Sequence, residues 1–138
     1  MRINPYISFG GQCAEAFGFY QQVLGGELQM MKHGESPYRD QVGPDWQDAV
    51  MHAYLRFDGG ELMGCDAPPS HYQKPQGFSV TVQVSEPADA ERIFNALSDG
   101  ANVTMPVGET FWSPAFGMLT DRFGIGWMVT CDPAAVPA

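Results

Sequence analysis

Basic residues are scarce in this chain: seven Lys and Arg stand against sixteen Asp and Glu, for a formal charge of −9. A surface of that sign repels a phosphate backbone and offers no basic stripe, which excludes nucleic acid and anionic lipid as partners. Long apolar runs are missing as well. Nothing approaches the roughly 18 uninterrupted apolar residues that a membrane helix requires. The opening MRINPYISFGG has neither the charged leader nor the apolar segment of a secretory signal, so the cytoplasm is the expected location. The three cysteines, Cys13, Cys65 and Cys131, are odd in number and far apart, which fits neither a disulfide framework nor a zinc ribbon. No GxGxxG follows a predicted strand, and no histidine pair has HxH or HxxxH spacing.

The chain does have the means to build a core. Its 138 residues are 44% hydrophobic and 12% aromatic, the size and composition of one domain. Two segments carry the i, i+3, i+4, i+7 apolar stripe of a helix: CAEAFGFYQQVL at 13 to 24, through Ala16, Phe17, Tyr20, Val23 and Leu24, and EPADAERIFNALS at 86 to 98, through Ala90, Ile93, Phe94 and Leu97. Ser85 is expected to cap the second, with Pro87 in its first turn and Gly100 at its left-handed stop. An offset of 74 residues superposes the two helices and aligns their glycine stops, Gly26 and Gly100.

Each helix follows a β-like run, NPYISF or FSVTVQVS, and precedes three more. These are 27 to 33, 49 to 57 and 61 to 65 in the first half, and 102 to 111, 117 to 121 and 126 to 131 in the second. The pattern is βαβββ, twice: an α+β fold of one domain, 1–138, made of modules 1–70 and 76–132. Turn-rich stretches at 34 to 48 and 67 to 77 read as loops, the second linking the modules, and the terminal DPAAVPA is expected to fray. In DRFG, Gly124 supplies the turn conformation and Asp121 holds the turn backbone, a structural role. Trp127 and Met128 point to opposite faces of their strand, as do the pairs Glu109 with Phe111 and Thr110 with Trp112.

The doubled βαβββ unit, with FYQQVLGGEL after the first helix and DRFGIGWMV at the last hairpin, resembles the vicinal oxygen chelate superfamily of glyoxalases, extradiol dioxygenases and bleomycin-resistance proteins. PYISFGGQCAEAFGFYQQVLGGEL, VMHAYLRFDGGELMGCDAP, ETFW and FGMLTDRFGIGWMV, in that order, are similar to its PhnB-like branch, which often carries a demethylubiquinone methyltransferase-like label. The resemblance implies modules that each curl four strands into an incomplete barrel with the helix outside, paired within a chain or across a dimer to form one cup. In metal-dependent relatives four His, Glu or Gln side chains from the first and last strands of the modules hold a divalent metal.

Those positions fall here on Pro5 or Tyr6, on Gly64 with Asp66 two residues on, on Ser79 and on Met128. None is a good ligand for such metals. The expectation is therefore a metal-free binder of a small apolar or aromatic molecule, with no cofactor and no assigned catalytic residue. Its expected lining includes Phe9, His52, Tyr54 and Asp66 from the first module, and Ser79, Glu109, Trp112 and Met128 from the second. Four alternatives remain. One is a metal-dependent lyase, isomerase or dioxygenase with a displaced site. A second is an acid–base catalyst using Glu109, Asp66 or His52, a third is the methyltransferase label itself, and the fourth is a purely structural or partner-binding protein. A homodimer is expected under either the binding or the enzymatic reading.

Overall fold

A computed structural model of the chain describes residues 1–133, so most of the terminal stretch expected to fray lies outside the described residues. The chain divides into two compact units, Met1–Gln73 and the residues from Lys74 on. In the first unit the elements are β1 (Tyr6–Phe9), α1 (Cys13–Leu24), β2 (Glu27–Lys32), β3 (Val50–Phe57) and β4 (Gly60–Asp66). The second has β5 (Val80–Val84), α2 (Pro87–Leu97), β6 (Asn102–Gly108), β7 (Phe116–Thr120) and β8 (Gly126–Cys131). Each unit is βαβββ, as its sequence pattern predicts.

The sheets share one topology. Strand order is β1-β4-β3-β2 in the first unit and β5-β8-β7-β6 in the second. The pairs β1–β4 and β5–β8 are parallel and the others antiparallel. A parallel pair needs a crossover between its strands, and the helix and hairpin strands of each unit provide it. Each helix covers one face of its own sheet, and the strands alternate accordingly. In the first unit Ile7, Phe9, Ala53, Leu55 and Leu62 are buried beneath Cys13, Ala16, Phe17, Tyr20 and Val23 of α1. Phe17 meets Phe9 edge-on at 6.1 Å and Tyr20 at 5.9 Å. In the second, Leu119, Trp127, Val129 and Cys131 are buried on the side of Ala90, Ile93, Phe94 and Leu97.

Close approach of helix to sheet depends on two glycines. A Cβ on Gly64 would sit 2.7 Å from the Phe17 ring and 2.8 Å from the Ile7 carbonyl oxygen, and one on Gly117 would sit 2.6 Å from the Phe94 ring. At the ends of the helices, Gly25 and Gly100 have φ of 74° and 73°, positive values that glycine adopts without a steric penalty. Ser85 does not cap α2. Its N-cap is Glu86 in extended conformation, with no side-chain hydrogen bond. The stretch from 34 to 48 is a loop held by single 3-10 turns at Arg39–Gln41 and Pro44–Trp46. Gln47 ties it together, donating from Nε2 to the carbonyls of Arg39 and Val42.

Candidate functional site: the open faces of the two sheets

Helix cover leaves the other face of each sheet open, and strand register decides what that face displays. In the first unit one cross-strand row runs Tyr6, Met63, Tyr54, Gln29. On one side of it lie Ser8 paired with Cys65, and His52 paired with Met31. On the other, Arg56 stands between Glu61 and Glu27. Directly opposed side chains of neighbouring strands are about 5 Å apart at Cβ, so these rows make a continuous surface.

Three rings cross that surface as a strip. His52 lies 6.0 Å from Tyr6 and 5.2 Å from Tyr54, centroid to centroid, and the Arg56 guanidinium sits 4.3 Å above the Tyr54 ring. Several polar groups here are already engaged. The Tyr54 hydroxyl is hydrogen-bonded to Gln29, and Arg56 Nε lies 3.6 Å from Glu61.

The second unit's open face carries no charged strand residue. One row is Thr81, Met128, Met118, Met105 and the next is Gln83, Thr130, Phe116, Gly108. Trp112 extends it, with its ring 5.2 Å from Phe116 and 4.7 Å from Phe111. Phe111 is 97% exposed and Trp112 46%.

The residues expected to line a cavity fall in different places. His52 and Tyr54 share the first open face, Met128 lies on the second opposite the buried Trp127, and Ser79 is half-buried just before β5. Phe9 is displaced: it points under α1 and is core. Glu109 is exposed beyond the end of β6, in a turn where Thr110 and Ser113 bond each other, so the alternation expected for 109 to 112 does not apply. Asp66 faces α1 as a clamp. Its Oδ1 accepts the N–H groups of Gly11 (3.1 Å) and Cys13 (2.9 Å), and its Oδ2 accepts that of Val50 (2.9 Å). The carboxylate thus caps α1 from a distance, complementing the positive end of the helix where Gln12 supplies no side-chain bond.

The position matched to a metal ligand on β4 also moves by one residue, because Gly64 faces the helix and Met63 and Cys65 face the open side. Sequence reading missed both, although the placement of His52, Tyr54 and Arg56 on one face would have found them once the β3–β4 register was known. A first-row divalent metal that prefers imidazole and carboxylate finds a phenol, a hydroxyl, a thiol and a thioether at the ends of β1 and β4, and hydroxyls and a thioether on β5 and β8. Among the described residues, no group of three His, Cys, Asp or Glu side chains converges. The donor set does not fit that kind of metal.

Asp121 has the structural role its sequence implies. Its Oδ1 accepts the N–H groups of Phe123 and Ile125, and its Oδ2 that of the Trp127 indole at 2.8 Å.

Comparison with known proteins places this geometry. Residues 1–130 match the family described as 3-demethylubiquinone-9 3-methyltransferase. The chain is 35% identical to protein YjdN of Escherichia coli over 94% of each chain. The crystal structure of PA1353 from Pseudomonas aeruginosa is 46% identical with a TM-score of 0.88, covering 96% of this chain and 98% of that one. The PhnB protein from Bacillus cereus is 25% identical with a TM-score of 0.78, over 95% and 99%. Glyoxalase-related structures at 13% and 14% identity share the fold, with TM-scores of 0.62 and 0.61. The chain belongs to the 3-demethylubiquinone-9 3-methyltransferase family, and it shares the fold of glyoxalase-related structures.

Proposed function

We propose that this protein binds a small, mostly apolar or aromatic organic molecule on the open faces of its sheets, without a resident metal. The observation that carries the reading is the clustering of rings and thioethers on those faces: Tyr6, His52 and Tyr54 form one strip, and Met105, Met118 and Met128 share one row. Methionine thioethers adapt to varied shapes and make favourable contacts with rings. The donor set described above supports the metal-free part of the proposal.

The test has two arms. Protein purified without chelator and offered iron, zinc, nickel and manganese is expected to hold far less than one equivalent by plasma mass spectrometry. A screen of small aromatics is expected to raise its melting temperature. Stoichiometric metal would overturn the first part, and a screen without a single stabilising compound the second.

Of the residues considered for acid–base chemistry, Asp66 is committed to backbone and Glu109 lies exposed in a turn, which leaves His52 alone on an open face. A methyl-transfer reading rests on the family description. Neither four-stranded sheet is the doubly wound parallel kind that commonly holds nucleotide cofactors, and we expect calorimetry to show no micromolar affinity for S-adenosylmethionine. A twofold homodimer belongs to the same proposal. Val103, Met105, Phe111 and Trp112 are exposed on or beside the edge strand β6, a surface that favours covering. Light scattering should give twice the chain mass, and a single monomer peak would refute the dimer.

A further inference from the structure

The ring strip of the first unit supports a narrower statement about ligand class, one that rests on the binding reading above. We infer that this face selects an uncharged, planar aromatic molecule bearing a hydrogen-bond acceptor, with its ring laid along Tyr6, His52 and Tyr54 and its acceptor on the His52 N–H.

Three observations lead there. The first is spacing: successive centroids at 6.0 and 5.2 Å lie within the 4.5–7 Å over which aromatic rings interact favourably, so a flat ligand can touch more than one ring. The second is hydrogen-bond supply. Tyr54 is bonded to Gln29, whereas His52, in the middle of the strip, makes no side-chain hydrogen bond among the described residues. A neutral imidazole has one N–H donor and one acceptor nitrogen, so His52 offers a ligand a donor in the middle of the strip. The third is charge. Arg56 is the one cation in these rows, and it is flanked by Glu61 and Glu27 while its guanidinium covers Tyr54. An anionic ligand would have to compete with two carboxylates for one guanidinium. A cationic ligand would have to displace that guanidinium from the ring face it occupies.

Methionine methyl groups provide the readout. Met31 and Met63 report on the first open face, and Met105, Met118 and Met128 on the second. Methyl NMR spectra of the full chain would be titrated with four probes of similar size: coumarin, the saturated octahydrocoumarin, 2-naphthoate and N-methylquinolinium. Coumarin is expected to bind tightest and to shift Met31 and Met63. His52→Phe keeps a ring and removes the donor, so it should weaken coumarin roughly 2- to 12-fold, the range one net hydrogen bond represents. His52→Ala should weaken it further, with methyls away from this face unmoved as a check on folding.

Octahydrocoumarin binding as tightly as coumarin, a charged probe binding more tightly, or an unchanged affinity in His52→Phe would overturn the inference while the broader reading stands. Shifts confined to Met105, Met118 and Met128 would do the same. Absence of any shift on either face with all four probes would remove the broader reading as well.

Discussion

Replacing Asp66 distinguishes a structural clamp from a ligand anchor. Its carboxylate accepts three backbone N–H groups at 2.9 to 3.1 Å, and two of the donors, those of Cys13 and Val50, belong to buried residues. In Asp66→Ala these two are left without partners, at about 1–3 kcal/mol each, while the Gly11 amide, on an exposed residue, can turn to water. Loss of the favourable charge at the start of α1 adds about 0.3–1 kcal/mol. The expected destabilisation is therefore about 4 kcal/mol, in the range reserved for broken buried networks. Asp66→Asn keeps one acceptor oxygen but turns an NH₂ group toward the remaining donors, and should cost about half as much. Urea denaturation followed by far-ultraviolet circular dichroism measures both. A change below about 1 kcal/mol in Asp66→Ala would refute the clamp and return Asp66 to the list of ligand groups.

Gly64→Ala forces a methyl into the Phe17 ring and the Ile7 carbonyl, and should destabilise by roughly 1–3 kcal/mol in the same assay; a neutral result would mean that α1 can ride up freely. Asp121→Asn opposes an NH₂ group to either the Trp127 indole N–H or the Phe123 and Ile125 amides, and should cost about 2 kcal/mol, with a wild-type denaturation midpoint counting against the assigned hydrogen bonds. Stability should also fall with alkaline pH. Burial, and then the Asp66 charge, raise the Cys13 thiol above its ordinary 9.0, so the folded chain keeps this proton where the unfolded chain releases it. That contribution is fully present below about pH 9 and declines above it, and denaturation midpoints at pH 7 and pH 10 should show the decline relative to Cys13→Ala.

Local pattern and chain entropy made much of this protein legible before folding was considered. The apolar stripes of α1 and α2, the glycine stops, the βαβββ order in each half and the Asp121–Gly124 turn are short-range features, set by 3.6- and 2-residue periods and by the few residues that accept a positive φ. The opposition of Trp127 and Met128 followed from strand alternation alone.

Which face of a strand meets the helix is a different kind of fact, because moving the register by one residue turns every side chain over. The repeat that aligned the helices does not align the strands before them. Three residues, Gly10 to Gln12, separate β1 from α1, but only two, Ser85 and Glu86, separate β5 from α2. Phe9 and Asp66 therefore belong to the helix-covered face, and Gly64 is the point where Phe17 comes closest. The ring strip on the other side is assembled from β1 and β3, strands more than 40 residues apart in the chain and held together by β4 between them. Sequence alone determined the elements and their order, since these depend on neighbours within a few residues. Only the tertiary structure decided that Tyr6, His52 and Tyr54 meet, because that depends on which strands pair and in which register.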